Sequence, residues 1–253
     1  MKHFVRFQTE EKVSYGLLQG EEIVALEGDI FGSYQETNQK FKLREVKLLA
    51  PCQPSKAVCV GLNYRKHAAE LTMKVPEEPI LFLKPSSSII ATNDNIVYWP
   101  SVHQLDYEAE LVAVIGRKAH NVSEKDALGY VFGFTAGNDV TARDLQKKDG
   151  QWTICKGFDT FLPLGPAIVT GLDPSDLKVQ SFLNGELKQD GRTSSLIFNV
   201  PYLVSFISKV MTLFPGDIIM TGTPAGVGPM QVGDTIEVRI EQIGSLINKV
   251  IAP

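Results

Sequence analysis

Strand-type patterning outnumbers helix-type patterning along this chain, and the two do not alternate strictly. The most informative stretch is Leu105-Asp106-Tyr107-Glu108-Ala109-Glu110-Leu111-Val112-Ala113-Val114-Ile115-Gly116. Its Val, Leu and Ile content and its terminal glycine predict one strand. Alternate side chains share a face, so Glu108 and Glu110 point the same way, followed by Val112 and Val114. Tyr107, Ala109, Leu111, Ala113 and Ile115 occupy the other face. The later half is apolar on both faces, as in a central strand covered on both sides. Two carboxylates at the head of such a strand repel each other and resist desolvation. A hard divalent cation, which takes oxygen ligands, is the simplest partner for them. A solvated strand end with both glutamates facing water is the competing explanation, and the pattern alone does not decide.

Three short strand-like pieces, residues 3–7, 13–18 and 22–26, predict a small β-rich N-terminal module over residues 1–50. It ends where Pro51 and Pro54 break any element. Residues 51–253 form the main body. Residues 57–61 read as a buried strand, and Asn63 is placed to cap a helix over residues 64–71. Residues 72–79 are polar and proline-punctuated, a loop that can act as a flap, and residues 80–84 read as a strand ending in serines. Further strands are predicted over 130–138 and 161–169, and a short capped helix over 123–128. Asn184-Gly185 joins residues 178–183 to 186–189 as a hairpin with a type I′ turn. Residues 199–210 form an amphipathic helix with Asn199 as cap and an early proline. A strand and glycine loop over 217–229 and two closing strands, 234–240 and 245–251, complete the chain. The class is α+β and β-dominated rather than a doubly wound sheet.

Composition narrows the function. The 253 residues are 43% apolar and 21% charged, with formal net charge −4 and no basic block. This argues against nucleic acid or an acidic membrane as partner. No run approaches a membrane span or a signal-peptide core, and Cys52, Cys59 and Cys155 lack zinc spacing. A cytoplasmic protein with reduced thiols is expected.

Several side chains then qualify as chemistry. His67 and Glu70, three apart, share one helix face, and a carboxylate beside an imidazole favours a general base. Taken alone, charged neighbours on an exposed helix are the commoner explanation. Asp139 falls at a strand-to-helix junction over residues 139–146, where a helix cap or Asx turn is the plainer use of it. Arg143 and Gln146 share a face of the helix that follows. Lys156, in the apolar run 151–158, either snorkels to the surface or holds an anion. The glycine loop lacks the lysine-hydroxyl pair of a nucleotide loop, and no G-x-S-x-G elbow exists.

In order along the chain, Gly61-Leu62-Asn63-Tyr64 through His67 and Glu70, Leu81-Phe82-Leu83-Lys84-Pro85-Ser86, Tyr107-Glu108-Ala109-Glu110-Leu111, Asn138-Asp139-Val140-Thr141-Ala142-Arg143-Asp144, Lys156-Gly157-Phe158-Asp159, Asn184-Gly185-Glu186 and Gly216-Asp217-Ile218-Ile219-Met220-Thr221-Gly222-Thr223-Pro224 resemble the fumarylacetoacetate hydrolase family. The resemblance covers residues 51–253. It implies a mixed β-roll catalytic domain, a homodimer, and a Mg²⁺ (or Mn²⁺) ion held by Glu108, Glu110 and Asp139. It implies catalytic roles for His67, Glu70 and Lys156 and substrate contacts for Gln146, Arg143 and Thr223. The founding hydrolase has a further aspartate ligand upstream of the histidine. Here Cys59-Val60-Gly61 occupies that region, and the shorter acylpyruvase and oxaloacetate decarboxylase branch also lacks that aspartate.

The implied reaction is metal-dependent cleavage of an acylpyruvate-type 2-oxo acid, with oxaloacetate decarboxylation as a related activity. Lys156 would balance the substrate's charge, and His67, oriented by Glu70, would activate water. An isomerase or decarboxylase of unsaturated dicarboxylic 2-oxo acids in aromatic breakdown, of the 2-hydroxyhepta-2,4-diene-1,7-dioate isomerase type, is the second reading. A non-catalytic cation-binding protein on the same fold is the third. By charge alone, three carboxylates carry −3 and one divalent ion returns +2, so the trio is expected to depend on the ion.

Overall fold

The computed structural model describes residues 1–10, 12–146, 148 and 150–253. Its largest sheet has twelve strands. Along its path lie Tyr34–Lys42, Glu22–Gly28, Val13–Gln19, Lys2–Gln8, Leu162–Thr170, Val131–Asn138, Ala109–Ile115, Ile218–Met220, Ala57–Gly61 and Ile80–Lys84. The N-terminal strands join the body through Lys2–Gln8, which pairs antiparallel with Leu162–Thr170. Most pairings are antiparallel, but Ile218–Met220 runs parallel to Ala57–Gly61, so the sheet is mixed. A five-stranded sheet contains Glu186–Arg192, Lys178–Leu183, Thr235–Ile240, Gly244–Ile251 and Asn95–Val97. A three-stranded sheet contains Thr141–Ala142, Leu105–Tyr107 and Gly228–Met230.

Ala109–Ile115 is buried along its whole length. One apolar cluster joins Leu111, Ala113 and Ile115 to Val179, Val238 and Leu246 of the five-stranded sheet. A second joins Val112 and Val114 to Leu164, Ile168 and the N-terminal Phe4 and Leu17. The doubly apolar pattern thus reflects a strand sandwiched between two cores.

The helices are few and short: α1 (Arg65–Glu70), α2 (Arg143–Gln146), α3 (Thr153–Lys156) and α4 (Val200–Val210). Asn199 caps α4 by accepting the Tyr202 N–H. Asn184 and Gly185 both take the positive φ of a tight hairpin turn. The segment 123–128 forms a 3₁₀ helix, Glu124–Tyr130, capped by Ser123. Among the described residues no helix is long and apolar enough to cross a membrane.

Two local expectations differ, and one strand was not expected. The stretch 105–116 is two strands rather than one. Leu105–Tyr107 pairs with Thr141–Ala142 and Gly228–Met230, whereas Ala109–Ile115 belongs to the large sheet. The chain changes sheets at Glu108. Asn63 does not cap α1. It is fully buried, donating to the carbonyls of Phe198 and Thr221 and accepting the Phe198 N–H. Tyr64 takes the cap position without a side-chain bond, because Asn63 ties three segments together instead. Finally, Tyr34–Lys42 is a strand whose polar sequence gives no alternation.

Candidate metal centre

Strand register brings the three acids together. Ala109 lies across from Asn138, so the next pair outward is Glu108 and Asp139, and the Asp139 N–H donates to the Glu108 carbonyl. Glu110 follows two residues after Glu108. An oxygen from each of Glu108, Glu110 and Asp139 lies within 4.8 Å of the other two, and all three residues are buried. The side chains therefore stand together despite the change of sheet at Glu108.

The bases around them are as buried as the acids. Lys156 Nζ bridges Glu108 Oε2 at 2.9 Å and Asp139 Oδ2 at 2.6 Å. Lys84 Nζ donates to Asp139 Oδ1 at 2.6 Å and to the Val140 carbonyl. Arg143 reaches Glu108 Oε1 and Asp106 Oδ2, and its third nitrogen donates to Gln146 Oε1 at 2.6 Å. Burial opposes ionisation of Glu108, but Lys156 and Arg143 outweigh it and hold the carboxyl well below its usual range. Lys156 is likewise opposed by burial yet held protonated by Asp139 and Glu108.

The expectation that only a divalent ion makes the trio tolerable is therefore corrected. It counted the acids and omitted the bases. Asp106, Glu108, Glu110 and Asp139 supply −4, Lys84, Arg143 and Lys156 supply +3, and the balance is −1. That deficit is local to Glu110. Its Oε2 accepts only the Gly222 N–H at 2.8 Å, and Oε1 has no hydrogen-bond partner among the described residues. Burial, then Asp139 and Glu108, push its carboxyl well above the ordinary value. Gly222 holds φ +96° with Asn63 close behind it, so glycine is what permits this N–H to face the acid. An all-oxygen donor set with one under-served carboxylate fits a hard divalent ion such as Mg²⁺ or Mn²⁺.

A small cavity, about 20 Å³, is lined by Glu108, Glu110, Asp139, His67, Lys156, Arg143, Gln146 and Thr223, with Met73, Phe82 and Trp152 among its apolar walls. Eight of the nine site residues read from the sequence thus meet at one place, and the ninth stands behind the histidine. Glu70 Oε2 lies 3.0 Å from His67 Nδ1, and its Oε1 accepts the Gly226 N–H. A carboxylate only accepts, so Nδ1 carries the hydrogen, and in the neutral ring Nε2 offers its lone pair. His67 is buried, unlike the exposed-helix alternative.

Several roles differ in detail from the expectation. Asp139 caps nothing, since its carboxylate is held by two lysines. Lys156 does not snorkel but holds anions, and these are protein carboxylates: two of its hydrogens serve Glu108 and Asp139, leaving one for a ligand. Arg143 is engaged on all three nitrogens. The Thr223 hydroxyl donates to the Ala109 carbonyl and accepts from Gln189, so only a lone pair and its methyl can face the cavity. The sequence reading missed Lys84, Asp106 and Asn138, whose Oδ1 accepts the Glu108 N–H. A lysine two positions from Phe82 in the apolar run 80–84 was the available signal for Lys84.

Comparison with known proteins identifies the family of this chain. The family described as fumarylacetoacetate (FAA) hydrolase C-terminal matches residues 56–251, and one described as Rv2993c-like, N-terminal, matches residues 2–51. The chain is 48% identical over 230 residues to the uncharacterized protein MJ1656 of Methanocaldococcus jannaschii, covering 86% of this chain and 97% of that one. It is 43% identical over 219 residues to the mitochondrial oxaloacetate tautomerase Fahd2a of Rattus norvegicus, covering 82% of this chain and 70% of that protein. The crystal structure of 2-hydroxyhepta-2,4-diene-1,7-dioate isomerase from Mycobacterium marinum superposes with TM-score 0.94 at 42% identity, covering 100% of this chain and 99% of that one. The chain belongs to the fumarylacetoacetate hydrolase family.

Proposed function

We propose that this protein is a divalent-metal-dependent enzyme that interconverts keto and enol forms of a short 2-oxo acid, with oxaloacetate as the model substrate. The observation that carries the reading is the placement of His67, its Nδ1 held by Glu70, in the same cavity as Glu108, Glu110 and Asp139. The tautomerase and isomerase names of the relatives describe the same class of proton movement. When bound, the ion supplies Lewis acidity toward the carboxylate and 2-oxo oxygens of the substrate. Adding +2 to the cluster's −1 leaves a net +1, which suits an anionic ligand.

The chain's own residues do the rest. His67 Nε2 takes the proton from the carbon next to the 2-oxo group and passes it to the 2-oxo oxygen, giving the enol; in the reverse direction it carries the proton from that oxygen back to the carbon. Glu70 keeps the ring in the tautomer that can do so and stabilises it when protonated. The remaining Lys156 hydrogen faces the negative charge that develops on substrate oxygen. Met73, Phe82 and Trp152 limit water at the reacting carbon. The same Nε2 lone pair can instead deprotonate a water, and this favours a second reading, hydrolytic cleavage of an acylpyruvate.

The test is a panel of oxaloacetate, an acylpyruvate and an unsaturated dicarboxylic 2-oxo acid, assayed with Mg²⁺ or Mn²⁺ and again with chelator. The proposal expects ion-dependent keto–enol interconversion of oxaloacetate. Turnover of the acylpyruvate alone selects hydrolysis, and no turnover of any member with ion bound contradicts both.

A further inference from the structure

The hairpin of Lys178–Leu183 and Glu186–Arg192 contributes no residue to the cavity wall, yet one of its side chains reaches the metal centre from behind. Gln189 is fully buried. Its Oε1 accepts the N–H of Ala109 at 3.0 Å, and Ala109 is the residue between Glu108 and Glu110. Its Nε2 donates to Thr223 Oγ1 at 2.7 Å and to the Pro224 carbonyl at 2.7 Å. Thr223 Oγ1 then donates to the Ala109 carbonyl at 2.9 Å. The circuit closes: Ala109 N–H to Gln189, Gln189 to Thr223, Thr223 to Ala109 C=O.

We propose that Gln189 is a positioning residue that fixes the spacing of the Glu108 and Glu110 carboxylates and ties it to the orientation of Glu70 and His67. This rests on reading the carboxylate trio as an ion site. Both polar groups of the Ala109 residue are held, so its flanking glutamates cannot swing by rotation of the backbone between them. The second function comes from the glycine loop. The Pro224 carbonyl anchors that loop to the hairpin, and two residues on, the Gly226 N–H holds Glu70 Oε1 at 2.9 Å. Gly226 sits at φ +103°, and any side chain there would collide with the Lys188 carbonyl, so the loop lies flat against the strand that carries Gln189. One planar group must offer one acceptor and two donors at once, which only a carboxamide does. Hydrogen bonds in such a ring reinforce one another in a dry interior.

The test is direct Mn²⁺ titration, read by electron paramagnetic resonance of the free ion, on wild type, Gln189→Met and Thr223→Val. Thermal melting of each confirms that the ion is offered to folded protein. Gln189→Met keeps the volume and removes every bond of the carboxamide. Thr223→Val breaks the same circuit from the other side and serves should the first variant fail to fold. Outer partners of metal ligands are typically worth about 10–100-fold in affinity, and a weakening in that range is expected for both. Thr223→Ser, which keeps the hydroxyl, should stay close to wild type. A Gln189→Met, Thr223→Val double variant should be no weaker than the worse single one, because the circuit fails once broken. Folded variants that bind Mn²⁺ as tightly as wild type overturn the role of Gln189. Wild type that binds no Mn²⁺ overturns the ion-site reading beneath it.

Discussion

The two halves of the site are built on opposite principles. The acid half is deep and over-determined. Glu108 and Asp139 have every carboxylate oxygen bonded to a buried cation, and their backbones are locked by strand register. The base half stands on α1, six residues long, with no side-chain cap and with Glu70 one-third exposed. Just beyond it, Thr72 adopts positive φ and residues 72–79 form no regular element. The first arrangement resists reorganisation, as charge stabilisation requires. The second sets the buried His67 beside one of the irregular walls of the cavity, formed by Leu71 and Met73. The difference teaches that metal affinity and proton transfer should be separable by mutation.

Four predictions test that separation, from the largest effect down. Glu108→Ala should abolish divalent-ion binding and all turnover together. It also leaves Lys156 and Arg143 short of a buried partner, a loss of about 3–5 kcal/mol that chemical denaturation will register. His67→Ala should lower turnover by about 10²–10⁴-fold while Mn²⁺ affinity, measured calorimetrically, stays at the wild-type value. Parallel loss of both quantities would erase the distinction between the halves. Lys84→Met removes one cation from Asp139 in a fully buried pair, so the metal-free melting temperature should fall. Saturating Mn²⁺ should recover more of it than in wild type, because the ion replaces the missing charge.

The smallest effect concerns pH. The Glu110 carboxyl is raised by burial and by Asp139 and Glu108. A carboxyl whose folded pKa lies above its unfolded one favours folding at low pH and loses that contribution as pH rises through the folded value. Glu110→Gln removes the ionisation. Its metal-free melting temperature should therefore gain on wild type as pH climbs from the ordinary carboxylate value of 4.5 upward. A difference between the two proteins that is flat with pH would show that Glu110 is not the strained acid.

Much of this was legible because local rules and tertiary context agree. Asn199 caps α4, Asn184-Gly185 turns the hairpin, and the doubly apolar strand is the one with two cores around it. Glu108 and Glu110 stood out because like charges on a buried strand need an answer, whereas Asp139 joined them only through the family resemblance. What answers them was not legible. Lys84 meets Asp139 across 55 residues and Gln189 meets Ala109 across 80, pairings that no local period encodes. Asn63 carries a cap signature, yet tertiary bonds to Phe198 and Thr221 claim its side chain. The strand Tyr34–Lys42 is almost wholly polar and lies at the sheet's edge, where alternation is not enforced.

The central proposal is that three carboxylates from two paired segments hold one hard ion while Lys84, Lys156 and Arg143 balance the rest. Anomalous scattering from a crystal soaked in Mn²⁺ tests it most directly. The account predicts one strong peak about 2.1 Å from an oxygen of each of Glu108, Glu110 and Asp139, within reach of His67. A peak elsewhere, or no peak among the three carboxylates at saturating Mn²⁺, would contradict it.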